Sequence, residues 1–183
     1  MRITTTVDDE FLLQFLFLHS AYGLQPATRI PELEPEPPQS TRPLSRQQRA
    51  DWDAAWDRNW RDLWAWRHRL DGCRNSGTMQ GLFTRIGKPP LWPMELGTYF
   101  ERDAFTAWKT TLIDSDRSRA AQESPEGKYV EELAGAWRRG LHELVVLPYR
   151  GEFSRPVDGF ALELSSSTYL SPTAFPAALR SFR

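Results

Sequence analysis

The chain has 183 residues with 23 basic and 24 acidic side chains, a formal net charge of -1, and 40% of its residues are hydrophobic. That length suits one domain able to bury a core. The balanced charge excludes a charge-extended disordered chain, and it supplies no global field toward nucleic acid or an anionic membrane. A single cysteine, Cys73, excludes an intramolecular disulfide framework.

Ile3-Thr4-Thr5-Thr6-Val7 is β-branched and predicts a short strand. Asp8 is placed as the N-cap of the next helix, with Asp9 and Glu10 favourable in its first turn and Val7 and Leu12 as a hydrophobic staple. The helix is predicted to reach about Ser20, with Gly23 just past its end. Phe11, Leu12, Leu13, Phe15, Leu16, Phe17 and Leu18 occupy nearly every side of it, and a helix apolar all round needs cover on more than one side. That cover is either the rest of the domain or a second subunit, which makes Phe11, Phe15, Phe17 and Leu18 the expected interface of a homodimer. The run 11–18, interrupted by Gln14, is too short to cross a bilayer. The acids ahead of it are wrong for a secretory signal, so the expected compartment is the cytoplasm, with no membrane partner. Over residues 3–16, Ile3, Thr4, Val7, Asp8, Leu13 and Gln14 resemble the opening strand and helix of type VII secretion chaperones. The resemblance implies a strand–cap–helix unit and carries over no functional residue.

Residues 24–44 hold six of the 14 prolines. Pro-rich chain favours an extended left-handed form rising about 3.1 Å per residue, giving a reach of roughly 60 Å. The segment reads as a strap long enough to reach another subunit, or as a plain surface connector. Residues 45–70 form the strongest predicted helix, with Trp52, Trp56, Trp60 and Trp64 every four residues and Leu63, Trp66 and Leu70 beside them. Asp57, Arg58, Arg61, His68 and Arg69 lie mainly opposite, whereas Asn59 and Arg67 fall inside the aromatic arc. A buried amide or guanidinium without partners costs about 2–5 kcal/mol, so these two are candidate polar groups of a Trp-lined pocket.

Residues 71–97 carry five glycines and three prolines and read as loop, with a strand over 81–86. Thr98-Tyr99-Phe100-Glu101 fits a capping box, followed by a helix with Phe100, Ala104, Ala107, Trp108, Thr111 and Leu112 on one face. Ser124-Pro125 opens another helix, whose inner face is read as Val130, Leu133, Ala134, Trp137 and Leu141 and which Arg138-Arg139-Gly140 stops. Leu144-Val145-Val146-Leu147 predicts a buried strand, and residues 160–165 alternate like a half-exposed one; an antiparallel pair around the loop 148–159 is expected. Residues 173–182 are read as a closing helix.

The basic residues are 20 Arg and three Lys. Residues 1–39 carry two basic and six acidic groups, net -4, and residues 40–95 carry ten and six, net +4. Tryptophans interleaved with cations over 42–88 raise single-stranded nucleic-acid binding, but the shared helical face and Asp51, Asp53, Asp57, Asp62 and Asp71 argue for core packing. Gly81 with Gly87-Lys88 has the wrong spacing for a phosphate loop, and His142-Glu143 lacks the second histidine of a zinc protease. Asp114, Asp116 and Ser118 lack the glycine of a calcium loop, and Ser165-Ser166-Ser167 lacks the glycines of a nucleophile elbow. Cys73, beside Arg74 and near His68, is an isolated thiol among scattered histidines. Tyr149 and Arg150, on the loop after the buried strand, join Asn59 and Arg67 as pocket candidates.

The resulting expectation is one α+β domain over 1–183, with 1–23 a strand and helix, 24–44 a strap and 45–183 the main body. Four or five helices pack on a small, mainly antiparallel sheet. The expected function is a non-enzymatic protein-interaction module, homodimeric through the N-terminal helix, with no catalytic, metal or cofactor residues assigned. The alternatives are an enzyme or small-molecule binder with a Trp-lined pocket, and single-stranded nucleic-acid binding by 42–88.

Overall fold

The computed structural model describes residues 2–7, 9–73, 79–119 and 125–183. The fold is α+β, with eight helices and a four-stranded mixed sheet among these residues. In chain order the elements are β1 (Thr4–Val7), α1 (Glu10–Ala21), α2 (Arg46–Cys73), α3 (Met79–Ile86), α4 (Trp92–Glu95), α5 (Arg102–Arg119), α6 (Val130–Arg138), β2 (Glu143–Leu147), β3 (Ser154–Val157), β4 (Ala161–Ser165), α7 (Ser166–Leu170) and α8 (Ala174–Ser181).

The sheet order is β1-β2-β4-β3. β1 and β4 flank β2 in parallel, and only β3 runs antiparallel, against β4, so the sheet is not mainly antiparallel. The reason lies within residues 148–159, expected to be loop throughout. They contain β3, and the three-residue connection Asp158-Gly159-Phe160 turns it back into β4: the Phe160 N–H donates to the Val157 carbonyl at 3.1 Å, and the two central residues of that turn, Asp158 and Gly159, have positive φ angles of 44° and 68°. That is the backbone of a type I′ turn, for which Asp-Gly is a favoured pair. A tight hairpin makes β3 the partner of β4 and leaves β4 beside β2 in the same direction.

The sheet is covered on both faces, which is why β2 and β4 are buried throughout and β4 is not half-exposed. Val145, Leu147 and Ala161 join the core shared with α1, α2 and α5. Leu144, Leu162 and Leu164 join a second core with Leu133 of α6 and Phe175, Leu179 and Phe182 at the C-terminal end. Gly140, after α6, has φ 107°, and a Cβ there would lie 2.9 Å from the Gly159 carbonyl oxygen. Only glycine lets α6 close this tightly on the β3–β4 turn.

α1 is the hub. Its N-cap is Asp9, whose side chain accepts from the Leu12 N–H at 3.0 Å; Asp8 lies outside the described residues, as do Arg74 and Ser124. Phe15 packs against Trp56, Trp60 and Trp92 with ring centroids 5.9–6.1 Å away, and Phe17 against Phe100, Phe105 and Trp108 at 5.5–6.1 Å. Phe15, Phe17 and Leu18 have no exposed surface, so these three offer no interface to a second copy, and Phe11 is partly buried against Trp66. The chain's own α2, α4 and α5 supply the cover.

The strap also stays at home. Leu33 bridges Tyr149, Glu34 N–H donates to the Pro148 carbonyl at 2.8 Å, and Ser40 N–H returns to the Ala21 carbonyl at 2.8 Å. Its two ends therefore meet near the end of α1, and the extended reach is spent on an out-and-back loop. Asp53 and Asp57 of α2 hold its start: they accept from the N–H groups of Gln25 (2.7 Å), Ala27 and Thr28 (2.9 Å).

Three local expectations change. Residues 81–86 belong to helix α3, not a strand. Thr98 lies in a 3-10 turn and α5 starts at Arg102, so the capping box does not form; Glu101 instead accepts from the Ser40 and Thr41 hydroxyls. In α6, Leu133 and Ala136 face inward while Val130 and Trp137 are 54% and 38% exposed.

Asp57→Ala removes two backbone acceptor contacts from the strap. It should lower stability by about 1–2 kcal/mol and increase protease cleavage within 24–44. An unchanged urea midpoint and an uncut strap would show that those contacts do not hold it.

Candidate functional site: a buried face of acids and arginines

β-Sheet register decides where the polar groups meet. Glu143 pairs with Ala161 and Val145 with Glu163, so the two glutamates lie diagonally on one sheet face, the face toward α1 and α2. They are 1% and 0% exposed. A buried carboxylate requires a cation or donors, and each has found its own.

Arg67 reaches down from α2 between two acids. Its Nη2 donates to Glu143 Oε1 at 2.7 Å, and its Nη1 donates to Asp9, the cap of α1. Thr6 of β1 also donates to Glu143 Oε1, at 2.8 Å. One guanidinium thus ties together β2, the start of α1 and α2, with β1 joined through Thr6. Its planar fork suits two carboxylates at once, which an ammonium would not. The guanidinium lies 5.7 Å from the centre of the Trp64 ring. Arg67 Nε and Trp64 Nε1 are buried with no acceptor among the described residues.

Glu163 is held by Tyr149, whose hydroxyl donates to Oε1, and by Arg155 of β3, whose Nε and Nη2 lie 2.8 and 2.6 Å from Oε2. Burial pushes the Glu163 carboxyl up, against the opposing pull of Arg155 and Tyr149. Burial, reinforced by the negative charge of Glu163, pushes the Tyr149 hydroxyl well above its ordinary value. Tyr149 is therefore a neutral donor, and both oxygens of Glu163 are occupied. This arrangement fixes strands and offers no unengaged nucleophile.

The four expected pocket residues do not converge. Arg67 and Tyr149 serve the two separate networks. Asn59 donates to the Ala55 carbonyl of its own helix at 2.8 Å. Arg150 is exposed and pairs with Glu32 at 2.6 Å. It lines a cleft of about 250 Å³ between the end of α1 and the strap, with His19, Glu32 and Glu36; burial pushes the His19 imidazole down, so it is neutral there. Trp56, Trp60, Trp64 and Trp66 are buried in the core, so they neither wall a pocket with these residues nor present faces to nucleic-acid bases. Trp56 and Trp60 stack at 4.9 Å, and Trp56 Nε1 donates to the Phe15 carbonyl at 2.8 Å. His68 stacks on Phe160 at 4.4 Å. Among the described residues no group of three or more His, Cys, Asp or Glu is arranged to hold a metal ion, and no helix is long and apolar enough to cross a membrane.

Sequence reasoning missed Asp9, Glu143, Arg155 and Glu163 as partners. The signal was present: Glu143 heads a continuous apolar strand and Glu163 interrupts one, and an acid inside a fully buried strand calls for a cation elsewhere in the chain. Comparison with protein families, curated proteins and solved structures finds no match for this chain.

Arg67→Met strands two acids and should cost about 3–5 kcal/mol, part of which Glu143→Gln returns in the double variant; urea unfolding measures both, and a near-neutral single variant would contradict the network's structural role. For Glu163 the folded carboxyl holds its proton more tightly than the unfolded one. Its contribution is fullest below the ordinary carboxylate range and is lost as pH rises through the raised value. The stability of the native chain relative to Glu163→Gln should therefore fall as pH rises from the ordinary carboxylate range; a difference that grows with rising pH would reverse the sign.

Proposed function

We propose that this chain is a non-enzymatic protein-interaction module whose contact face is α6. One observation carries the reading: Val130 and Trp137, seven residues apart on one side of α6, are 54% and 38% exposed, whereas the leucines of α1 and its Phe15 and Phe17 have no exposed surface. Two turns of helix bring such positions onto one ridge. A half-exposed tryptophan on a rigid helix is the kind of anchor that dominates protein contacts. The buried acids and arginines support the same reading, because their charges are spent on one another. The partner this face fits is a protein helix with an apolar ridge of its own.

A tryptophan kept for binding and one kept for folding differ in what their loss does to the isolated chain. Trp137→Glu should change the stability of the monomer by less than about 0.5 kcal/mol, as a surface substitution does. A loss above about 1.5 kcal/mol in urea unfolding would make Trp137 part of the fold and remove the interaction reading.

A further inference from the structure

We infer that the partner of α6 is a second copy of this chain, its α6 crossing the first antiparallel at Ala134. This rests on reading α6 as a contact face. The argument comes from how apolar and charged residues are distributed along that helix.

At about 100° per residue, Val130, Ala134 and Trp137 fall within a narrow arc, and Glu131 and Arg138 fall together on one flank of it. The opposite flank, with Leu133 and Ala136, is buried against the chain's own sheet and α8. Glu131 and Arg138 are both exposed, and neither has a charged partner among the described residues. Their neighbours are already engaged: Glu132 pairs with Arg180 at 3.1 Å, and Arg139 donates to the Leu179 and Phe182 carbonyls.

A twofold axis lying in the contact plane, perpendicular to the helix, reverses the helix direction and keeps the charged flank on the same side. Val130 then meets the partner subunit's Trp137, and Trp137 meets the partner subunit's Val130. Glu131 meets the partner subunit's Arg138 at one end, and the reciprocal pair forms at the other. Both pairs are seven residues apart, so both are centred within one residue of Ala134, whose small side chain allows the helices to approach. A parallel twofold puts the charged flanks on opposite sides and forms no such pair. The pattern therefore selects the antiparallel arrangement. A net charge of -1 adds little repulsion between copies.

A nine-residue helix is about 13 Å long, so the contact sits at the small end of protein interfaces and the dimer is a weak one, in the micromolar range. Sedimentation equilibrium from about 1 µM to several hundred µM should show the mass rising from monomer to dimer. Glu131→Arg and Arg138→Glu each bring like charges together at both ends and should weaken the dimer about tenfold; the double variant should recover to within about threefold of the native chain. Trp137→Glu should leave a monomer. A native chain that stays monomeric throughout, or a dimer indifferent to all these variants, would overturn the self-pairing. If that happens while Trp137→Glu keeps its stability, the interaction reading survives with a different partner. A destabilised Trp137→Glu removes that reading itself.

Discussion

The structure depends on hiding a helix that has no polar side. Leu12, Leu13, Phe15, Leu16, Phe17 and Leu18 of α1 point in all directions, and none is exposed. An amphipathic helix needs one neighbour, but this one needs a ring of them. The chain supplies α2 with its tryptophans toward Phe15, α5 toward Phe17, α4 through Trp92, and the sheet. The strap closes the last gap, with Leu33 buried and the Pro35 carbonyl accepting from Trp108 at 2.8 Å. Most other features of the large core follow from that demand.

Enclosing α1 also buries its start, and that start is charged. Asp9 must cap the helix, which puts a carboxylate next to the sheet, where Glu143 already stands. Two acids at one buried point are tolerable only with a cation between them, and Arg67 is delivered there by the length of α2. The same register that places Glu143 inward places Glu163 inward, and β3 answers with Arg155. The buried charges are thus a consequence of topology. They tie α1, α2 and the strands to one another, because each buried carboxylate meets its cation across two elements.

Helices with strong local signals were legible. The four-residue tryptophan spacing located α2, the cations and Gly140 located the end of α6, and the class of fold followed. Strand direction was not legible, because parallel and antiparallel neighbours of a buried strand have the same apolar pattern. Yet Asp158-Gly159 named the hairpin, and giving it weight would have split the supposed loop and reversed the predicted pairing. Arg67 was recognised as a cation in an apolar arc. Its partners lie 58 and 76 residues away in sequence, a distance over which periodicity says nothing. Burial of Phe15 and Phe17 within one chain was also out of reach, since it depended on how far the strap folds back.

The rule that raised the question of assembly concerns cover, and it applies to α6 with the opposite result. α1 sits between layers, so its whole circumference meets other parts of the same chain. α6 lies on the outer side of the sheet, in a single layer with α8. Leu133 and Ala136 fill the inner contact, while among the described residues Val130 and Trp137 keep 54% and 38% of their surface exposed. Placing Val130 and Trp137 on the inner face assumed that all apolar positions of a short helix point the same way. Two of them instead face out, beside Glu131 and Arg138, which have no charged partner among the described residues.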